Sequence, residues 1–174
     1  MRLTQVPAAF ALGLGLLAVP GIPLIADALL PERESDVVGP NTEVDLLSME
    51  GNVVVVSPPP GWTALDNGDS ATLRDDQSFV LVQVYDLLDR DPAAVAARVM
   101  RANRFGGISA ALDGGQVRSD DGTLSGETCV VVTAEETGTC AFVADDDVVI
   151  SVLSIGADAP PVTDIVERIS RGQQ

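Results

Sequence analysis

Apolar runs and their spacing divide the chain into an uncharged N-terminal stretch and a longer body in which strand-like and helix-like periods succeed one another. Residues 3–26 carry no charge and are mainly apolar from Val6 to Ala26. A helix over Pro7–Ile25 would be about 28 Å long, close to the roughly 30 Å hydrocarbon core of a bilayer, and Pro7 suits a first helical turn. Two readings follow. The segment 1–30 is either an uncleaved signal-anchor, or a signal peptide whose helix covers Ala8–Val19, is broken by Pro20 and Pro23, and is cleaved after Ala28 in Ala26-Asp27-Ala28. The first predicts one N-terminal membrane span with the C-terminal domain extracytoplasmic, with Arg2 supplying the positive-inside bias; the second predicts a secreted product.

Residues 31–43, polar with Pro31 and Pro40, read as a linker. The domain is expected over 44–174. Val44–Ser48 reads as a short strand or turn, and Gly51-Asn52 precedes the β-branched strand Val53–Ser57. Pro58-Pro59-Pro60 cannot donate ladder hydrogen bonds, so that strand stops. Trp62–Leu65 and Ser70–Arg74 flank Asp66-Asn67-Gly68-Asp69, a hairpin signal. In Phe79–Leu87, Phe79, Leu81, Gln83 and Tyr85 share one face and Val80, Val82 and Val84 the other, the pattern of a central strand. Asp91-Pro92 opens a helix with Asp at the N-cap and Pro at N1. Val95, Val99 and Ala102, widened by Ala96 and Met100, mark its apolar stripe, and Gly106-Gly107 ends it. Residues 108–126 are rich in Gly and Asp, with one strand around Gln116–Ser119. A meander Glu127–Ala134, Thr139–Ala144 and Val148–Ile155 follows, and then a C-terminal helix with Val162, Ile165, Val166 and Ile169 at i, i+3, i+4 and i+7. The expected class is α+β: an antiparallel sheet of about six strands covered by two helices, preceded by the N-terminal hydrophobic helix.

The stretch Ser57-Pro58-Pro59-Pro60-Gly61-Trp62, the strand Val80-Leu81-Val82-Gln83-Val84, the helix opened by Asp91-Pro92 and the later meander and helix resemble, in that order, the layout of Mog1/PsbP-like domains. Within them the chain is most similar to the exported actinobacterial branch, the LpqN/LpqT-like envelope proteins. The similarity spans about residues 44–171. Unlike LpqN-type lipoproteins, the chain has no Cys to lipidate near the end of its apolar run. The resemblance implies a binding or accessory role in envelope or membrane-complex assembly, and no shared catalytic residues.

Composition narrows the chemistry. Ten cations, all Arg, stand against 26 acids, for a net charge of −16, and there is no His. Such acidity argues against nucleic acid. Without His or Lys the chain lacks the commonest general base, the commonest nitrogen metal ligand, and any Lys nucleophile or P-loop. Cys129 and Cys140, the only pair, are expected to form a disulfide in an exported domain. The acidic clusters Asp66-Asn67-Gly68-Asp69, Asp75-Asp76 and Asp145-Asp146-Asp147 match no calcium loop and lie where turns are expected. No G-x-S-x-G, G-x-G-x-x-G or P-loop is present.

No catalytic residue, cofactor or metal is therefore expected. The basic run Arg98, Arg101 and Arg104, on the outer face of the first helix, is a candidate partner contact, and so are Pro60, Gly61 and Trp62. Three functions stay open: a non-enzymatic, membrane-anchored or exported accessory domain that binds an envelope or membrane protein; an envelope carrier of a lipid or small ligand, which needs an apolar cavity; and a hydrolase built on carboxylates alone.

Overall fold

A computed structural model describes residues 36–37, 39, 42–75 and 77–172. The expected N-terminal helix, and the anchor or leader it implies, lie outside the described residues. Among the described residues, no helix is long and apolar enough to cross a membrane.

The elements run β1 (Asp36–Val37), β2 (Val44–Leu47), β3 (Val53–Val56), β4 (Thr63–Asp66), β5 (Ser70–Arg74), β6 (Ser78–Asp86), α1 (Pro92–Phe105), β7 (Ser109–Arg118), β8 (Ser125–Val132), β9 (Thr137–Ala144), β10 (Val148–Gly156), α2 (Val162–Val166) and β11 (Ile169–Arg171). The main sheet is antiparallel. Seven strands stand in the order β4-β5-β6-β10-β9-β8-β7, and the two-residue β1 is added beside β4. A second, three-stranded sheet has the order β11-β3-β2.

The class is thus the expected one, but the strand count and the covering are not. Four strands enlarge the sheets beyond the expectation: β7, β2, β11 and the two-residue β1. β7 runs through a stretch whose Gly and Asp predict mostly loop; Asp113-Gly114-Gly115 form a bulge between the Leu112–Cys129 and Gln116–Glu127 pairs. β2 closes a hairpin on β3. β11 replaces the end of the expected C-terminal helix. That helix stops after Val166, and Ile169 instead pairs with Val56 on the free edge of β3. Ile169 reaches the same core on either backbone, so the apolar spacing does not distinguish them; the open hydrogen-bonding edge of β3 does. Within the stretch read as linker, Asp36 and Val37 pair with Ala64 and Thr63.

β6 and β10 lie side by side at the centre, with Val82 opposite Val152 and Val84 opposite Ile150. One face carries Val80, Val82, Val84, Val148, Ile150 and Val152, packed against Leu46, Val54 and Val56 of the small sheet and Ile165 and Val166 of α2. The other carries Leu153, Ile155, Cys140 and Phe142, packed against Val95, Ala96 and Val99 of α1, with Phe79, Leu81 and Tyr85 partly buried beside them. So α1 alone covers one face, and the small sheet with the short α2 covers the other. Because β10 is covered on both faces, it is buried along nearly its whole length. Each such Val, Leu or Ile contributes roughly 1.5–3 kcal/mol by leaving water.

Cys129 and Cys140 sit directly opposite each other on β8 and β9. They form the expected disulfide, fully buried beneath α1, with Cα atoms 4.8 Å apart.

Candidate binding cleft

Two turns and α1 build a cleft at the end of β6. The first turn joins β6 to α1. Leu88 and Asp89 both adopt left-handed backbone angles, with φ of 49° and 62°. For a side chain larger than Gly each such residue costs about 1–2 kcal/mol, so neighbouring contacts must hold the turn. Arg90 does so: its Nε donates to the Leu87 carbonyl at 2.9 Å and its Nη2 to the Asp86 carbonyl at 2.7 Å. The Leu87 N–H donates to the Asp147 carbonyl at 2.8 Å. Asp91 then caps the helix as its sequence position predicts, its carboxylate accepting from the Ala93 N–H at 2.7 Å.

The second turn, Ser48–Asn52, joins β2 to β3. The Asp86 carboxylate fastens it to β6, accepting from the Glu50 N–H and the Asn52 Nδ2, each at 3.1 Å. Burial alone would raise the carboxyl pKa of Asp86. Hydrogen bonds from the Ser48 hydroxyl, the Asn52 amide and the Glu50 and Met49 N–H groups outweigh it and hold the group below the usual carboxylate range. Asp86 is therefore a structural anion.

Between these turns and α1 lies an open cleft of about 440 Å³, lined chiefly by apolar surface. Val95, Val99 and Ala102 of α1 face Tyr85 of β6 across it, and Arg98, Glu50, Asp69 and Asp86 also line it. Met49 and Leu88 form its lips, 95% and 60% exposed. Burial, and secondarily the Asp69 carboxylate, push the Tyr85 phenol pKa up. Its hydroxyl donates to Gln83 Oε1 at 3.0 Å. Tyr85 is thus a neutral hydrogen-bonding wall, not a base.

The sequence candidates fall on different sides of this geometry. Arg98 stands on the cleft margin, and Arg101 and Arg104 continue along the exposed side of α1. Among the described residues, no carboxylate lies within ion-pair distance of these three, whereas Arg171 pairs with Asp145 at 3.0 Å and Asp147 at 3.6 Å. Pro60 and Gly61 are exposed, and Gly61 takes the positive φ of 87° that the turn requires. Trp62 is half-buried and packs on the cluster beneath the small sheet. The Arg run and the Pro-Gly-Trp turn therefore lie on opposite faces of the main sheet and form no common site.

The acidic clusters brace their own turns, and Asp145 and Asp147 also pair with Arg171. Asp66 accepts from the Gly68 N–H, Asp75 from the Gln77 and Ser78 N–H groups, and Asp145 from the Asp147 and Val148 N–H groups. Among the described residues, no group of three carboxylates or thiols is placed to hold a metal ion.

Sequence reasoning passed over Met49, Leu88 and Tyr85. A signal existed for the first: a large apolar residue at the tip of a Gly-Asn turn, where a polar one is usual. For Leu88 there was none, because nothing local foretells a left-handed Leu.

No protein-family model matches the chain, and a search of curated proteins finds no significant match.

Proposed function

We propose that this chain is a non-enzymatic binding module of the cell envelope, Mog1/PsbP-like in kind. In this reading the N-terminal apolar segment exports it and holds it at the membrane, and the domain receives a segment of an envelope or membrane protein in the α1 cleft. The observation that carries the reading is the pair of exposed apolar lips, Met49 and Leu88, over a cleft whose two turns are tied down by Asp86 and Arg90. A contiguous exposed apolar patch rimmed by polar residues is suited to a partner, and braced turns hold it in place. A long antiparallel sheet with a helix between β6 and β7 supports the kinship.

The non-enzymatic part rests on chemistry. The chain has no His or Lys, and its two thiols form a buried bridge. A carboxylate serving as general acid near neutrality needs a raised pKa, whereas the buried carboxylate at the cleft, Asp86, is displaced downward.

A benzophenone-bearing residue in place of Leu88, in the full chain in its native membranes, tests the reading. We expect an ultraviolet-dependent adduct to a protein, absent when the probe replaces Glu135 on the β8–β9 turn at the far end of the sheet. No protein adduct at position 88, or equal adducts at both, overturns it. A second reading, a lipid or small-ligand carrier, is favoured by the apolar Val95 and Val99 walls; a lipid adduct in the same experiment would establish it instead.

A further inference from the structure

Beyond the cleft, the exposed side of α1 continues past Ala102. Residues i, i+4 and i+7 fall on one stripe of a helix, so Arg98, Ala102 and Phe105 share one side of α1, and Phe105 is 96% exposed. Over the seven residues from Arg98 to Phe105 the helix rises about 10 Å. Apolar contact points thus stand at both ends of this stripe, Met49 and Leu88 near Arg98 and Phe105 beyond Ala102, with Arg98 and Arg101 between them.

The cations on this stripe lack partners of their own. In a chain of net charge −16, α1 carries three Arg within seven residues, and no described carboxylate pairs with them. Arg90 and Arg171, by contrast, are occupied by carbonyls and carboxylates. Glu50, Asp69 and Asp86 also line the cleft, and the Asp86 carboxylate is taken up by the β2–β3 turn.

We infer that this stripe receives an acidic amphipathic segment of a protein partner, two to three helical turns long, whose bulky apolar side chain enters the Met49–Leu88 cleft while its carboxylates face Arg98 and Arg101. The inference rests on the partner-binding reading above and adds the chemistry of the partner. A segment of that size meets only the local charge, because salt screens the rest of the domain beyond about 8 Å. An anionic bilayer would meet the whole acidic domain and be repelled. The same short range makes the pairing salt-sensitive and selective against basic segments.

The test is a random peptide display library panned on the full-length chain in detergent. We expect enriched sequences with Asp or Glu within one helical turn of Phe, Leu or Trp. The best of them should bind about tenfold more weakly to Arg98→Glu/Arg101→Glu, and likewise when its own acids become amides. Circular dichroism of the double variant, expected unchanged, excludes misfolding, and Arg98→Ala/Arg101→Ala should show a smaller loss. No enrichment, enrichment of peptides without carboxylates, or binding indifferent to charge reversal overturns the inference. So does co-sedimentation with phosphatidylglycerol vesicles that the reversal abolishes, which would assign the stripe to a lipid surface. A protein adduct at position 88 with carboxylate-free peptides would leave the partner reading standing and remove only its acidic chemistry. Acidic peptides with no protein adduct would support the chemistry and sink the partner reading.

Discussion

Replacing Asp86 by Ala should loosen the lip of the cleft and weaken the fold together. The wild-type carboxylate accepts from the Glu50 N–H and the Asn52 amide at 3.1 Å and from the Ser48 hydroxyl, on a residue only 9% exposed. Hydrogen bonds to a charged group are worth about 1.5–3 kcal/mol each. The cost of burying the carboxylate offsets part of that sum, and the Glu50 N–H is left facing the gap. The net loss should be ~2–3 kcal/mol. For a domain of this size that lowers the melting temperature by roughly 6–10 °C. Urea denaturation followed by the fluorescence of Trp62, the only Trp, reads the change. The pH dependence supplies a second check. Because the folded-state pKa of Asp86 is depressed, its contribution is present above the unfolded carboxylate value near 3.9 and is lost as pH falls through the folded value. The gap between wild type and variant should therefore be full at pH 7 and shrink below about pH 4. A difference under about 0.5 kcal/mol, the range of an ordinary surface change, or a gap of equal size at pH 3 and pH 7, would refute the assignment of Asp86 as the tie.

Other outcomes follow from the same structure. Cys129→Ala/Cys140→Ala should cost about 2–3 kcal/mol for the short loop the bridge closes yet leave a folded domain, as a cooperative but earlier urea transition would show. Gly126→Ala should cost about 3 kcal/mol or more, because its Cβ would be driven into the backbone of Phe142 and Val143 on β9; near-wild-type stability would mean that β8 and β9 pair otherwise. Leu88→Gly should raise stability by about 0.5–1 kcal/mol by relieving the left-handed backbone while weakening whatever occupies the cleft, a split that thermal denaturation and binding measured side by side would expose.

What was legible in the sequence was local. The Asp66–Asp69 hairpin, the Asp91-Pro92 helix start, the Gly106-Gly107 stop, the alternation of β6 and the β8–β10 meander each depend on neighbours within a few residues, and each stands where its pattern put it. The facing cysteines followed from the same meander. The elements that escaped depend on distant partners. β11 exists because β3, more than a hundred residues earlier, offers an open edge, and β7 tolerates Asp113-Gly114-Gly115 because a bulge lets the ladder resume at Gln116. The cleft escaped for the same reason. Arg98 was visible as part of a basic run, but Met49, Tyr85 and Leu88 become a site only when the β2–β3 turn is tied to the end of β6 through Asp86. Trp62, singled out by its rarity, serves mainly as packing, a common role for an aromatic ring.

What matters most is whether the Met49–Leu88 cleft holds a protein partner. Photo-cross-linking from position 88 in the full chain in native membranes tests it most directly. A discrete protein adduct is expected, lost when the probe moves to position 135 and reduced when Arg98 and Arg101 are reversed to Glu. A position-88 probe that yields no protein adduct, or one no different from position 135, would contradict it.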